Sequence, residues 1–409
     1  MNSHKNFAVG ILQENEAWEL FKNITGDIVE SSELQSTATE VVRECAGLPI
    51  AIVSVAGALK NKSLPLWKNA LRELTRPSSR NFTGMQAVVY STIELSYNHL
   101  ESEELKSTFL LCAAMGSPMI IDLLKYGIGL GLFQHTDTVE EAQDRVHTLL
   151  SNLEASGLLL EASNSKEFAI HDVVRDVAVS VAARDWHMFA VLRNVVRPKD
   201  WPNADCTGIS LFYNDIREFP EELECPRLKF FYIGNKDPSL SIPDNFFAET
   251  KELRVLDLTE VNLSSIPPSI HQLANLRTLC LDHCVLGDIN IIGKLKKLEI
   301  LSLVESNVEQ LPMDLGQLTR LQLLDLSNCS KLRLIPAGIM SNLSRLEQLY
   351  MGNSFNRWDT EDLDNQASNI SLSELRHLPQ LTVLEIHIPD AQVTLKDLFS
   401  EELDRFTYL

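Results

Sequence analysis

Leucines recur in a fixed order through the second half of the chain. The pattern L-x-x-L-x-L opens at Leu253 (with Leu256 and Leu258), Leu276 (Leu279, Leu281), Leu298 (Leu301, Leu303) and Leu321 (Leu324, Leu326). It continues more loosely at Leu346 (Leu349, Met351) and Leu381 (Leu384, Ile386), and upstream at Leu228 (Phe231, Ile233) and Cys206 (Ile209, Leu211). Successive starts lie 22, 25, 23, 22, 23, 25 and 35 residues apart. Leucine-rich repeats run roughly 20–29 residues, so only the last gap needs an insertion. The polar stretch Asn353 to Ser371 supplies it. A second landmark falls 14 or 15 residues into five repeats: Phe219-Pro220, Ile242-Pro243, Ile266-Pro267, Leu311-Pro312 and Ile335-Pro336. Proline fixes φ and cannot donate to a strand ladder, which suits the convex-side turn of each coil. Leu273, Leu295, Leu318 and Leu343 then close their units. The pattern predicts about eight repeats over residues 201–409, stacked so that their inward leucines bury one continuous core.

Before residue 200 the period changes to that of helices. Glu16 to Phe21, Ser36 to Ala46, Pro49 to Lys60 and Leu66 to Leu74 read as helices, with Gly47 as a breaker and Pro49 in a first turn, where its missing N–H is harmless. Further helices follow over Glu103 to Met115, Ile120 to Leu132 and Val139 to Ser156. Leu158 to Glu161 and Phe168 to Ile170 flank the polar turn Ala162 to Lys166 and read as a short hairpin; a helix resumes over Asp172 to Ala183 with His171 at its start. Helices followed by a two-stranded wing predict a winged-helix fold. The fold class is therefore multidomain: α followed by an α/β repeat solenoid.

Composition narrows the function. The chain has 36 basic and 56 acidic side chains, a net charge of −20. Phosphate-backbone binding needs clustered Lys and Arg, and Val139 to Arg184 has no basic stripe, so no nucleic-acid partner is expected. Anionic membranes are disfavoured for the same reason. No run of 18 apolar residues predicts a transmembrane helix, and Met1 to Gly10 has no apolar leader core, so a cytoplasmic location is expected. Seven scattered cysteines do not make a disulfide framework, and no second Cys/His pair follows Cys280 and Cys284, so no metal site is expected. Asn214, Cys284 and Cys329 hold the ninth position of their repeats and are expected to serve hydrogen bonding along the turn.

The strand positions flanking the inward residues should face solvent on the concave side, the surface that solenoids use for binding. Asp257, Asp282, Asp325, Tyr350 and Glu385 are the candidate partner-binding residues there, and give that face an acidic cast. No hydrolase triad, paired-carboxylate motif or cofactor loop emerges.

Four segments resemble the plant nucleotide-binding leucine-rich-repeat disease-resistance proteins, most closely the coiled-coil class. Glu16-Ala17-Trp18-Glu19-Leu20-Phe21 resembles the E-A-W-x-L-F segment, Gly47-Leu48-Pro49-Ile50-Ala51 the G-L-P-L-A motif, and Phe109 to Ala114 the F-L-x-C-A segment; Ile170-His171-Asp172 stands where the family has Met-His-Asp. The resemblance implies an ARC1-like helical subdomain over 12–80, an ARC2-like winged-helix subdomain over 85–200, and repeats over 201–409. It implies an intracellular immune receptor that recognises a pathogen effector or a guarded host protein through the repeats, and an ADP/ATP switch touched by Gly47, Leu48, Pro49, His171 and Asp172. Pro49 would meet the adenine side of ADP, and His171 its β-phosphate. The family's P-loop, G-x-x-x-x-G-K-[ST], occurs nowhere in the chain. The resemblance therefore implies a member shortened at its N-terminus, not itself an enzyme, which holds no ADP or ATP stably alone. The alternative reading is a repeat-bearing substrate adaptor for ubiquitin ligation.

Overall fold

The computed structural model describes residues 10–75, 84–115, 118–186, 190–191, 197–202, 205–211, 216–234, 237, 240–358, 369–387 and 407–408. Nine helices are described: α1 Glu14–Thr25, α2 Gln35–Glu44, α3 Pro49–Leu59, α4 Leu64–Thr75, α5 Met85–Asn98, α6 Glu103–Ala114, α7 Ile120–Leu130, α8 Val139–Ala155 and α9 Asp172–Val181. The chain divides into two compact units. One comprises Met1–Ala113, Pro118–Ile120 and Val146–Val181; the other comprises Ala114–Ser117, Ile121–Arg145 and Ala182–Leu409.

In the first unit the apolar periodicity of α1 to α4 closes on one core. Phe21 and Trp67 meet edge-to-face with centroids 5.8 Å apart, among Val41, Ile52, Val55 and Leu59. Pro49 opens α3, as its fixed φ allows. The expected short hairpin is present: Leu160 donates its N–H to the Ala169 carbonyl (2.8 Å), and the Phe168 and Ile120 N–H groups donate to the Pro118 and Lys166 carbonyls.

The second unit is built on a ten-stranded parallel sheet. Its strands are β1 Ala190–Val191, β2 Gly208–Leu211, β3 Phe230–Ile233, β4 Val255–Asp257, β6 Thr278–Cys280, β8 Ile300–Ser302, β9 Leu323–Asp325, β10 Gln348–Tyr350, β11 Val383–Glu385 and β12 Thr407–Tyr408. A two-stranded companion pairs β5 Asn262–Leu263 with β7 Val285–Leu286. The register aligns the second leucine of every repeat, Leu256, Leu279, Leu301, Leu324, Leu349 and Leu384, into one buried spine. The prolines fall where expected: Pro267 and Pro312 lead into 3₁₀ turns, Pro268–Gln272 and Met313–Gln317. The ninth positions also behave as expected. Cys284 and Cys329 donate their thiols to the Leu258 and Leu303 carbonyls at 3.1 and 2.9 Å. Asn214 lies outside the described residues. At the N-terminal end an aromatic cluster of Trp201, Phe219, Phe231, Phe246 and Phe247 packs at the start of the core.

Five described repeats bend after their strand at a left-handed eighth position: Glu260, His283, Glu305, Asn328 and Asn353 have φ of 64°, 56°, 57°, 59° and 53°. Non-glycine side chains pay about 1–2 kcal/mol there, and asparagine least. Exposed Glu305 makes only surface contacts, to His283 and Asn328, so little is lost by removing it. Glu305→Asn is expected to stabilise the protein by about 0.5–1 kcal/mol, read as a rise in thermal midpoint; a fall would show that those contacts outweigh the backbone strain.

Candidate functional site

The strand face opposite the leucine spine is not open. Phe230, Val255, Asp257, Thr278, Cys280, Ile300, Ser302 and Leu323 alternate away from the core, yet all are buried. The cover is α7. Its residues Leu123 to Gly127, Gly129 and Leu130 are buried in turn. Tyr126 stacks edge-to-face on Phe230 with centroids 5.4 Å apart. Thr278 donates its hydroxyl to the Lys125 carbonyl (2.8 Å), and Arg254 donates to the Leu130 carbonyl (3.2 Å). The helix can lie this close because Gly129 has no Cβ. One placed there would sit 2.5 Å from the Thr278 hydroxyl and 2.6 Å from a Val255 methyl.

The expectation that Asp257, Asp282, Asp325, Tyr350 and Glu385 together form a solvent-facing binding surface is therefore corrected. Asp257 is 3 % exposed. Its carboxylate accepts the Tyr126 hydroxyl (2.5 Å) and the Thr259 N–H and hydroxyl (2.9 and 2.6 Å). Burial pushes its pKa up to about 7, helped by the Asp282 charge and opposed by the Thr259 and Tyr126 hydrogen bonds. Asp282 faces Lys125, whose ammonium lies 3.6 Å away and donates to the Ser302 hydroxyl at 2.9 Å. Burial alone would lower the Lys125 pKa; the Asp282 carboxylate leads the charges that instead hold it above its ordinary value. Asp325, Tyr350 and Glu385 are half-buried. Burial, with Asp325 and Glu385 nearby, raises the Tyr350 phenol to about 12. Those three remain candidates for contact with a partner.

A second contact joins the same face to the start of α8. Glu347, 5 % exposed, accepts the Val139 N–H at 2.6 Å and the Gln322 amide at 2.8 Å. A carboxylate at a helix N-terminus is favoured by both the free amides and the helix dipole. Lys125, Tyr126, Gly129 and Glu347 are the residues of these contacts that the repeat pattern does not single out.

The nucleotide residues expected from the resemblance lie in the first unit. Gly47 has φ +70°, and a Cβ on it would lie 2.4 Å from the Leu12 carbonyl, so only glycine fits. Leu12 in turn donates its N–H to the Gly47 carbonyl at 2.8 Å, which ties the first helical motif to the G-L-P-I-A turn. Beside them opens a cavity of about 660 Å³ lined by Leu12, Gln13, Trp18, Val42, Arg43 and Gly47. Leu48 caps α3 and Pro49 begins it, but neither lines the cavity, nor do His171 and Asp172. His171 is exposed and caps α9: its Nδ1 accepts the Val173 N–H at 3.1 Å. An accepting Nδ1 leaves the ring proton on Nε2, available to an anion. Of these five residues Gly47 alone lines the cavity.

A model of the leucine-rich repeat region matches residues 245–409. The probable disease resistance protein At4g27220 of Arabidopsis thaliana is 35% identical over 420 aligned positions, covering 100% of this chain and 44% of that protein. The disease resistance protein At4g27190 of the same plant is 29% identical over 406 positions (95% and 40%), and the disease resistance protein RPS5 is 30% identical over 299 (69% and 33%). The chain spans less than half the length of these relatives. No described helix is long and apolar enough to cross a membrane. With its repeats laid out as a parallel solenoid and relatives of one kind across its whole length, the chain belongs to the plant disease-resistance proteins that carry leucine-rich repeats.

Proposed function

We propose that the chain is the recognition part of an intracellular plant immune receptor. Its repeats recognise a pathogen effector or a guarded host protein in the cytoplasm, and the preceding helices relay that event to an ADP/ATP switch. The supporting observation is the occupied strand face: α7 sits, through Lys125 and Tyr126, where a solenoid ligand would otherwise bind. A partner taking that face competes with α7, so binding energy is spent on releasing the helix and biases a two-state element. The chain is not itself an enzyme on this reading. Bound ADP, where the rest of a receptor supplies the phosphate cradle, contributes charge that distinguishes the resting state; Arg43 and the His171 Nε2–H would meet it.

The test separates the switch from the helix cap. His171→Ala and His171→Asn would each be placed in this chain and in a fusion with an intact nucleotide-binding domain, and cell death scored in leaf tissue. A hydrogen bond to a charged group contributes roughly 1.5–3 kcal/mol, so losing it from one state shifts the balance about ten- to a hundredfold. Both substitutions are expected to make the fusion autoactive and leave the short chain silent. Asparagine keeps the cap. A fusion that signals with Ala but not Asn would reduce His171 to a helix cap, and signalling by the short chain alone would overturn the switch reading.

A further inference from the structure

The edge where the strands of the sheet begin carries a line of cations. Lys229, Arg254 and Arg277 directly follow the first leucine of three successive repeats, and Lys297, Arg320 and Arg345 directly precede it in the next three. Their strands, β3, β4, β6, β8, β9 and β10, are consecutive neighbours. At about 4.8 Å per strand the line is roughly 24 Å long. Lys229, Lys297, Arg320 and Arg345 are exposed, and Lys251 and Lys296 flank them, also exposed. Of the nearby carboxylates, Glu299 pairs with Arg277 at 2.8 Å and Glu347 is buried against Val139; exposed Glu252, beside Arg254, is outnumbered by the cations. In a chain of net charge −20, this clustering on either side of the first leucine of six successive repeats sets the edge apart from the rest of the surface.

We propose that this edge is a second docking surface, separate from the strand face, which takes an extended acidic segment of a partner protein. An extended chain advances about 3.4 Å per residue, so the line matches about seven residues. The chain lays a segment of its own against the line through its backbone, the Gln322 amide donating to the Asp137 carbonyl at 3.5 Å. Thr136, Asp137 and Thr138 share a 220 Å³ cavity with Arg277, Gln322 and Arg345, just before Glu140 and Glu141. Nucleic acid fits less well, because a long phosphate backbone meets the field of a chain of net charge −20. A membrane fits less well too: a planar anionic surface meets the field of the whole acidic body, whereas a narrow peptide within a Debye length meets the cations. The proposal does not rest on the nucleotide switch.

The probe is a fluorescein-labelled peptide of about seven alternating Glu and Asp residues, titrated with the full chain at low and physiological salt. Its uncharged Gln/Asn counterpart, a single-stranded RNA and vesicles rich in phosphatidylserine complete the set. Lys297→Glu/Arg320→Glu/Arg345→Glu, all at exposed positions, is expected to weaken the acidic peptide by more than about tenfold without changing the thermal midpoint. Lys60→Glu/Lys68→Glu/Arg72→Glu makes the same charge change in the first unit and should leave binding intact. The proposal is overturned if the acidic peptide does not bind at about 1 mM, if the two triple variants weaken it equally, or if the RNA or the vesicles bind more tightly than the peptide.

Discussion

Lys125→Met will destabilise the repeat unit by about 3–5 kcal/mol at pH 8, the usual cost of removing one partner from a buried ion pair. The Lys125 side chain is 3 % exposed, and its ammonium stands among Ser302, Asp282 and Asp122. Methionine fills nearly the same volume, so packing is preserved and the change is electrostatic. Without the cation, the side chain of Asp282, 14 % exposed, keeps only neutral donors such as the Val304 N–H at 2.9 Å, and still faces Asp257. Asp257, whose pKa burial raises to about 7, takes up a proton as the pH falls to 5 and relieves the repulsion between the two carboxylates, so the deficit should shrink. Lys125→Met/Asp282→Asn should recover part of the loss, because it removes the stranded charge along with its partner. The readout is urea unfolding at both pH values. A variant as stable as the parent at pH 8 would mean that the ammonium does not sit in this network.

The parts of the molecule that could be read from the sequence are those where a residue answers to its near neighbours. Leu256, Leu279, Leu301 and Leu324 each close a turn of their own repeat, so the same spacing recurs and the solenoid follows. Pro267 and Pro312 mark the convex turns for the same local reason. The hairpin at Leu160 and Ala169 was legible from its apolar ends and polar turn. The cover on the strand face was not, because its determinants are remote from one another: Lys125 meets Ser302 177 residues away, and Tyr126 meets Asp257 131 residues away. A signal was nonetheless present. Strand positions meant for water should be polar, yet Phe230, Val255, Ile300 and Leu323 are apolar, as in strands buried on both faces. Gly127 and Gly129, two residues apart within α7, were a second sign, since a helix gives up stability to glycine unless something approaches closely. The nucleotide residues are a different case. His171 and Pro49 each have a complete structural role, as a cap and as a helix start, so nothing local distinguishes a ligand contact from a well-made terminus.

Asp257→Lys, harmless on a solvent-facing strand, will instead cost more than about 4 kcal/mol, while Asp257→Asn will stabilise the protein above neutral pH. The lysine would bury a second ammonium near Lys125 and leave the Tyr126 hydroxyl without its acceptor. The asparagine keeps the shape and the bonds. Its carbonyl accepts the Thr259 N–H, and its amide donates to the Tyr126 oxygen. What it removes is a titration. Burial raises the Asp257 pKa from 3.8 to about 7, so the folded protein holds that proton more tightly than the unfolded chain does. The stability this contributes is fully present below about pH 3.8 and is lost as pH rises through about 7. Asp257→Asn should therefore gain on wild type progressively from pH 5 to pH 8, by on the order of 1–3 kcal/mol over that range. Urea unfolding at pH 5, 6, 7 and 8 measures this directly. Parallel curves would place the Asp257 carboxylate in its charged form throughout, and so in contact with water that the packing of α7 leaves no room for. Divergent curves would tie the grip of α7 on the strand face to a single proton, held where Tyr126 meets Asp257.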